Sequence, residues 1–506
     1  MSDNLFELFA ARFPADRATT FIERSDGSTL SYGDLLVRSA QLANVLSDLG
    51  VRPGDRVAVQ VDKTSAAILL YLAALRAGAI YLPLNIAYTT GELRCFLSDA
   101  EPVLFVCGPE TLAEMRELAR AVGVKHVETL DSHGGGSLSD LAKKAAGGFV
   151  DVARDSDDLA AILYTSGTTG RSKGAMLTHG NLASNAEVLR QEWRFTAVDR
   201  LLHALPIFHT HGLFVATNTS LMAGSALILL PSFDAGEIIR LLPRATVMMG
   251  VPTFYTRLLA RGDFTRDLAR HMRLFVSGSA PLSAQTHRDF EARTGHAILE
   301  RYGMTETNMN TSNPYDGARV PGSVGLPLPG VDIRIADPES GSAVPQGQVG
   351  VIDVRGPNVF KGYWRMAEKT KEEFRADGYF ISGDLGYVDE KGYVHMVGRA
   401  KDLIISGGFN VYPAEVEAAV EALPDVAECA VIGAPHPDFG EGVVAVVVAK
   451  ADARLDPVVM LAGLASELAR YKQPKHIVIA DELPRNAMGK VQKKALRERH
   501  AHVFER

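Results

Sequence analysis

A two-part α/β architecture is predicted for this chain, and three observations predict it. Short apolar runs alternate with amphipathic helical segments through the first two thirds of the sequence. After about residue 325 the apolar period shortens towards two, and beyond residue 400 a compact unit of mixed helices and strands begins. The expected fold is a large amino-terminal domain (1–399) with doubly wound sheets plus a small antiparallel β section, then a small α+β carboxy-terminal domain (400–506).

The elements follow in order. An amphipathic helix starts at Ser31, a strand covers 56–61, a helix 66–77 and an apolar strand 79–83, the alternation that builds parallel sheets with helices on their faces. The same order recurs as strand 201–206, helix 212–222, strand 226–230 and strand 274–277, which predicts a second doubly wound unit. Period-two runs at 349–354, 378–382 and 392–397, joined by turns such as Asp389-Glu-Lys-Gly392, predict the antiparallel section. The last unit reads as a helix from Pro413, strands 427–433 and 443–449, a helix 456–471 and a final strand near His476.

Composition narrows the function. With 506 residues and 46% hydrophobic content the chain can bury large cores. Its net charge of -7, with acids and bases interspersed, lacks the basic footprint of a nucleic-acid binder. Cys95, Cys107 and Cys429 stand far apart without CxxC spacing, so they are expected to be core thiols in a reducing compartment. The amino terminus carries acids where a secretory signal carries bases, and no apolar run reaches spanning length. A cytoplasmic protein with no membrane partner is the expectation.

The densest chemistry lies at 164–174, Tyr-Thr-Ser-Gly-Thr-Thr-Gly-Arg-Ser-Lys-Gly. An apolar strand, 159–164, empties into this loop and a helix resumes near Asn181. Glycines let a backbone approach an anion, the hydroxyls add donors, and Arg171 and Lys173 add charge, a combination suited to the phosphates of ATP. A Walker loop is excluded, because Ser172 stands where its second glycine belongs.

Four further motifs follow: Arg301-Tyr-Gly-Met-Thr-Glu306, Tyr379-Phe-Ile-Ser-Gly-Asp384, Gly398-Arg-Ala-Lys-Asp402 and Leu483-Pro-Arg-Asn-Ala-Met-Gly-Lys490. With the glycine loop, five in order, they resemble the adenylate-forming superfamily of acyl-CoA synthetases, luciferases and peptide-synthetase adenylation domains, over almost the whole chain. The resemblance implies a carboxylate attacking the α-phosphate of ATP, then a thiol attacking the acyl-adenylate, with ATP, Mg2+ and coenzyme A required. It implies that Thr165, Ser166, Gly167, Thr168, Thr169, Gly170 and Lys173 cradle the β and γ phosphates. Tyr302 would stack on adenine, Thr305 reach the α-phosphate, and Glu306 with Thr165 hold Mg2+. Asp384, assisted by Arg399, would take the ribose hydroxyls, and Lys490 would be the catalytic lysine. The carboxy-terminal domain would be mobile about the hinge Lys401, presenting either Lys490 or the CoA-facing loop Gly407, Gly408 and Phe409. Acetylation of Lys490 by a lysine acetyltransferase would remove the needed charge.

Arg301 sets the expected acid. Many relatives accepting fatty or aromatic acids carry Gly there, whereas a guanidinium fills the tail space and offers a bidentate partner to a second carboxylate. Ser277, Ser279, His209 and Met304 are expected around it, with His211, Met249 and Met309 nearby. A short dicarboxylate follows, malonate first and methylmalonate second. The rival readings are oxalate, a monocarboxylate with Arg301 paired to Glu300, or transfer to a carrier-protein thiol. Blander readings make Asp384 and Arg399 an exposed ion pair and Glu306 a helix-start carboxylate.

Overall fold

The apolar runs become the strands of two large sheets that feed one shared core. A computed structural model of the chain describes residues 2–165, 172–465, 467–486 and 488–505. The first sheet has six strands in the order His126–Thr129, Leu104–Cys107, Arg56–Gln60, Ile80–Pro83, Leu159–Thr165, Lys173–Thr178, all parallel except the last. The second has nine strands, with a parallel centre from Leu299–Met304 through Leu274–Ser277, Val247–Gly250, Arg200–His203 and Ala226–Leu229 to Thr20–Arg24. Antiparallel strands close both edges of this sheet.

Helix Ser65–Arg76 shows how sequence dictates the layering. It is apolar on every side, a pattern stable only under cover, and all but one of its residues are buried. Its core cluster draws residues from both large sheets. Two expectations are corrected here. The segment expected as one helix, 212–222, is a π-helix His211–Thr217 running into α-helix Asn218–Ala223. Cys95 is exposed, because on helix Thr90–Ala100 it faces away from the buried stripe of Leu93, Phe96, Leu97 and Ala100.

The antiparallel section is a four-stranded sheet, Asp332–Ala336, Gly350–Arg355, Phe380–Val388 and Val394–Arg399. Beyond it, strands Val426–His436 and Gly440–Ala449 form a long hairpin, and His476–Ala480 adds in parallel. The segment expected as helix 456–471 is helical only over Pro457–Leu464. Cores on both faces of this last sheet are its own, one with helix Pro413–Glu421 and one with helix Lys493–Arg499. From this unit, Met488 packs into the large core. Among the described residues no helix is long and apolar enough to cross a membrane.

Candidate active site

Three strands assemble the first part of the site. Tyr302 comes from Leu299–Met304, Asp384 from Phe380–Val388 and Arg399 from Val394–Arg399, and the register pairs Asp384 directly with Arg399. The Tyr302 hydroxyl donates to Asp384 Oδ2 at 2.6 Å, and Arg399 Nε lies 2.8 Å from Oδ1. Asp384 is 3% exposed and its own amide donates to Ser382 Oγ at 3.0 Å. An exposed ion pair of little consequence is therefore ruled out. Asp384 raises the Arg399 pKa, and burial followed by the Asp384 charge pushes the Tyr302 hydroxyl upward, so it remains a donor.

Thr305 and Glu306 occupy the turn between Leu299–Met304 and Asn308–Ser312, not a helix start. Gly303 is required in this hairpin, because a Cβ there would collide with the Asn308 carbonyl. Glu306 is buried, burial raises its pKa, and its Oε1 meets the Tyr363 hydroxyl at 3.1 Å. A buried carboxylate whose hydrogen-bonded side-chain partner is a neutral hydroxyl suits a hard divalent cation.

The phosphate segment departs from the expected strand, loop and helix. Thr165 ends one strand and Lys173 begins its antiparallel neighbour, directly paired across the ladder, before helix His179–Glu192. Ser166, Gly167, Thr168, Thr169 and Gly170 lie outside the described residues. Buried Lys173 donates to Glu373 Oε1 at 2.7 Å and lies over the Tyr363 ring, 4.1 Å from its centroid. Sequence reasoning missed Tyr363 and Glu373. The run Lys361-Gly-Tyr-Trp364 carried a usable signal, whereas Glu373 stands in an ordinary charged stretch.

One residue before Tyr302 on the same strand, Arg301 is 3% exposed, and its Nε and Nη2 have no hydrogen-bond partner among the described residues. Its guanidinium lies against Gly278, where any side chain would collide with it. The proposed pairing with Glu300 does not form: neighbours on a strand point to opposite faces, and Glu300 Oε1 instead accepts from the Leu282 amide at 3.3 Å. Burial lowers the Arg301 pKa and pushes that of Glu300 up to about 8.

Around Arg301, Ser277 Oγ and His211 Nε2 are also buried without partners among the described residues. His211 Nδ1 lies 3.1 Å from Ser279 Oγ, and Ser279 holds a left-handed φ of 71°. Burial lowers the His209 pKa to about 4, with further lowering from Arg301 and Lys490, which puts His209 within electrostatic reach of both cations. Met249 and Met309 are buried in the large core and Met304 packs partly buried against it.

Lys490 is exposed and lies within electrostatic reach of Arg399, Asp384 and Asp402. Desolvation and then Arg399 lower its pKa, while Asp384 and Asp402 act oppositely. Its loop is seated by Met488 and by Gly489 against Thr253. Lys401 lies exposed in a short helical turn, Ala400–Asp402, and Asp402 pairs with Arg497 at 2.8 Å. Gly407 and Gly408 form the tip of the hairpin Ile404–Ser406 and Phe409–Val411. That tip faces solvent, with Phe409 57% exposed and its ring against Tyr471.

The AMP-binding enzyme family matches residues 6–364 and the AMP-binding enzyme C-terminal domain matches 415–490. This chain belongs to the family of AMP-binding enzymes. It is 34% identical to the malonate–CoA ligase of Arabidopsis thaliana, covering 98% of this chain and 89% of that protein. It is 39% identical to a feruloyl-CoA synthase of Amycolatopsis sp, covering 94% and 95%. The ATP-bound crystal structure of MatB from Rhodopseudomonas palustris is 57% identical over all of both chains with a TM-score of 0.97, against 0.87 for its apo form.

Proposed function

We propose that this chain is an AMP-forming ligase that converts malonate, ATP and coenzyme A to malonyl-CoA, AMP and pyrophosphate through an acyl-adenylate, with methylmalonate as a second acid. The observation that carries the choice of acid is Arg301, a buried guanidinium with two unpartnered nitrogens. Such a group is costly to leave unmet, and a carboxylate arriving by its second anionic end would meet it. Ser277 Oγ and His211 Nε2, also unpartnered, supply further polar contacts in the same pocket. The Arabidopsis malonate–CoA ligase supports the same reading.

In the first half-reaction Tyr302, Asp384 and Arg399 hold the nucleoside, and Lys173 with the loop from Thr165 holds the outer phosphates. Thr305 reaches the α-phosphate. The reacting carboxylate lies between His209 and Lys490, and the Lys490 ammonium draws two anions together as charge accumulates on phosphorus. Glu306 and the Thr165 hydroxyl would hold Mg2+, which offsets phosphate charge. Lys490 reaches the cleft here while Gly407, Gly408 and Phe409 face solvent, so the orientation fits the first half-reaction. Rotation about Lys401, with the domain boundary at 399/400, would bring the glycine tip to the thiol channel. Because Lys490 keeps exposed surface, acetylation there would remove the charge this step needs.

A monocarboxylate is the second reading, favoured by the 39% identity to the feruloyl-CoA synthase. Relative kcat/KM for malonate, methylmalonate, oxalate, succinate, acetate and ferulate with CoA separates the two. Preference for malonate sustains the proposal; preference for ferulate or acetate overturns the pocket but keeps the chemistry.

A further inference from the structure

Lys173 is held in a way the glycine-loop motif does not require. It starts an edge strand, so its backbone is fixed by the ladder to Thr165, and its ammonium is fixed again from two sides by side chains distant in sequence. Glu373 Oε1 accepts from Nζ at 2.7 Å, and the Tyr363 ring lies beneath at 4.1 Å. An ammonium has three donors in all. Glu373 occupies one, leaving donors for phosphate oxygens without breaking the anchor.

The anchor extends to the motif carboxylate. Glu373 uses its other oxygen, Oε2, to meet the Tyr363 hydroxyl at 2.7 Å, and the same hydroxyl meets Glu306 Oε1 at 3.1 Å. A chain of contacts thus runs from Lys173 through Glu373 and Tyr363 to Glu306. Lys369 Nζ, 3.2 Å from Glu373 Oε1, gives that carboxylate a second cation. The Glu373 charge is therefore balanced even while Lys173 turns its free donors to a ligand.

We infer that Glu373 and Tyr363 are positioning residues for ATP: they aim the Lys173 ammonium at the outer phosphates and tie it to the carboxylate that would hold the metal. This rests on the ATP-dependent reading above but not on the identity of the acid. Neither residue reaches the nucleoside end, where Tyr302, Asp384 and Arg399 form a separate set. The effect should fall on ligands that carry β and γ phosphates and spare AMP.

Calorimetric binding of α,β-methylene-ATP with Mg2+, and of AMP, to the full-length protein tests this. Glu373→Gln keeps the shape and loses the charge. It should weaken binding of the triphosphate analogue about tenfold, the effect of one hydrogen bond to a charged group, and leave AMP affinity unchanged. Tyr363→Phe keeps the ring under Lys173 and removes the bridge, so it should raise the Mg2+ concentration needed for half-maximal analogue binding without changing AMP affinity. Thioester formation from supplied acyl-adenylate should be unaffected in both variants. Equal weakening of analogue and AMP would mark a merely structural role, and unchanged analogue binding would remove the positioning role; either overturns the inference. If the unsubstituted protein bound no triphosphate analogue, the ATP-dependent reading itself would fail.

Discussion

The two faces of strand Leu299–Met304 are built on opposite principles. At Tyr302 the side chains are paired with one another before any ligand arrives: tyrosine on aspartate, aspartate on arginine. One residue earlier, two guanidinium nitrogens of buried Arg301, with Ser277 Oγ and His211 Nε2, are without partners among the described residues. A self-satisfied site tolerates being empty, as a site for the nucleotide common to the family can. An unsatisfied site depends on its ligand, so the selectivity should reside there.

That contrast can be broken in graded ways. Lys490→Ala should reduce adenylation by about a thousandfold, the upper range for a lost charge-stabilising donor. Pyrophosphate exchange would register the loss, while thioester formation from supplied acyl-adenylate should persist; equal loss in both steps would contradict the role. Arg301→Gly should lower kcat/KM for malonate by about tenfold to more than a hundredfold and improve turnover of monocarboxylates. An unchanged acid profile would return Arg301 to a structural role.

On the partnered face the change should appear in a different constant. Asp384→Asn removes the charge that Arg399 and Tyr302 share, and should raise KM for ATP by about tenfold with little change in KM for the acid. The remaining effect concerns stability rather than turnover. Glu300 has its folded pKa raised to about 8, so the fold holds its proton where the unfolded chain has released it. Its contribution is fully present below the ordinary carboxylate range and is lost as pH rises through about 8, by at most about 1.4 kcal/mol per pH unit. Glu300→Gln should flatten the fall in Tm between pH 5 and 8. A parallel fall in both proteins would show that Glu300 does not carry the titration.

Much of this was legible in the chain itself. The strand at 159–164 and the antiparallel strands at 349–354 and 392–397 emerge within two residues of their expected bounds, because period and turn chemistry are local properties, whereas the strand expected at 378–382 runs on to Val388. Misreadings arose where neighbours in space overrode local pattern. Lys173 reads as loop beside Gly174 yet pairs with Thr165 in a ladder, and the run from Gly212 to Met222 reads as one α-helix but begins as π-helix. At its start, His203 Nε2 and the Thr217 hydroxyl both meet the Gly212 carbonyl, contacts that no helical periodicity announces.

The sequence alone determined the alternating α/β order and the ordered motifs that identify the family, since each depends on residue type and spacing along the backbone. Tertiary structure decided which charges meet. Arg301 and Glu300 are adjacent yet point to opposite faces, Tyr302 finds Asp384 across 82 positions, and Lys173 finds Glu373 across 200. Charges pair or stay unpaired according to distance and burial, and a folded chain sets both independently of separation along the sequence.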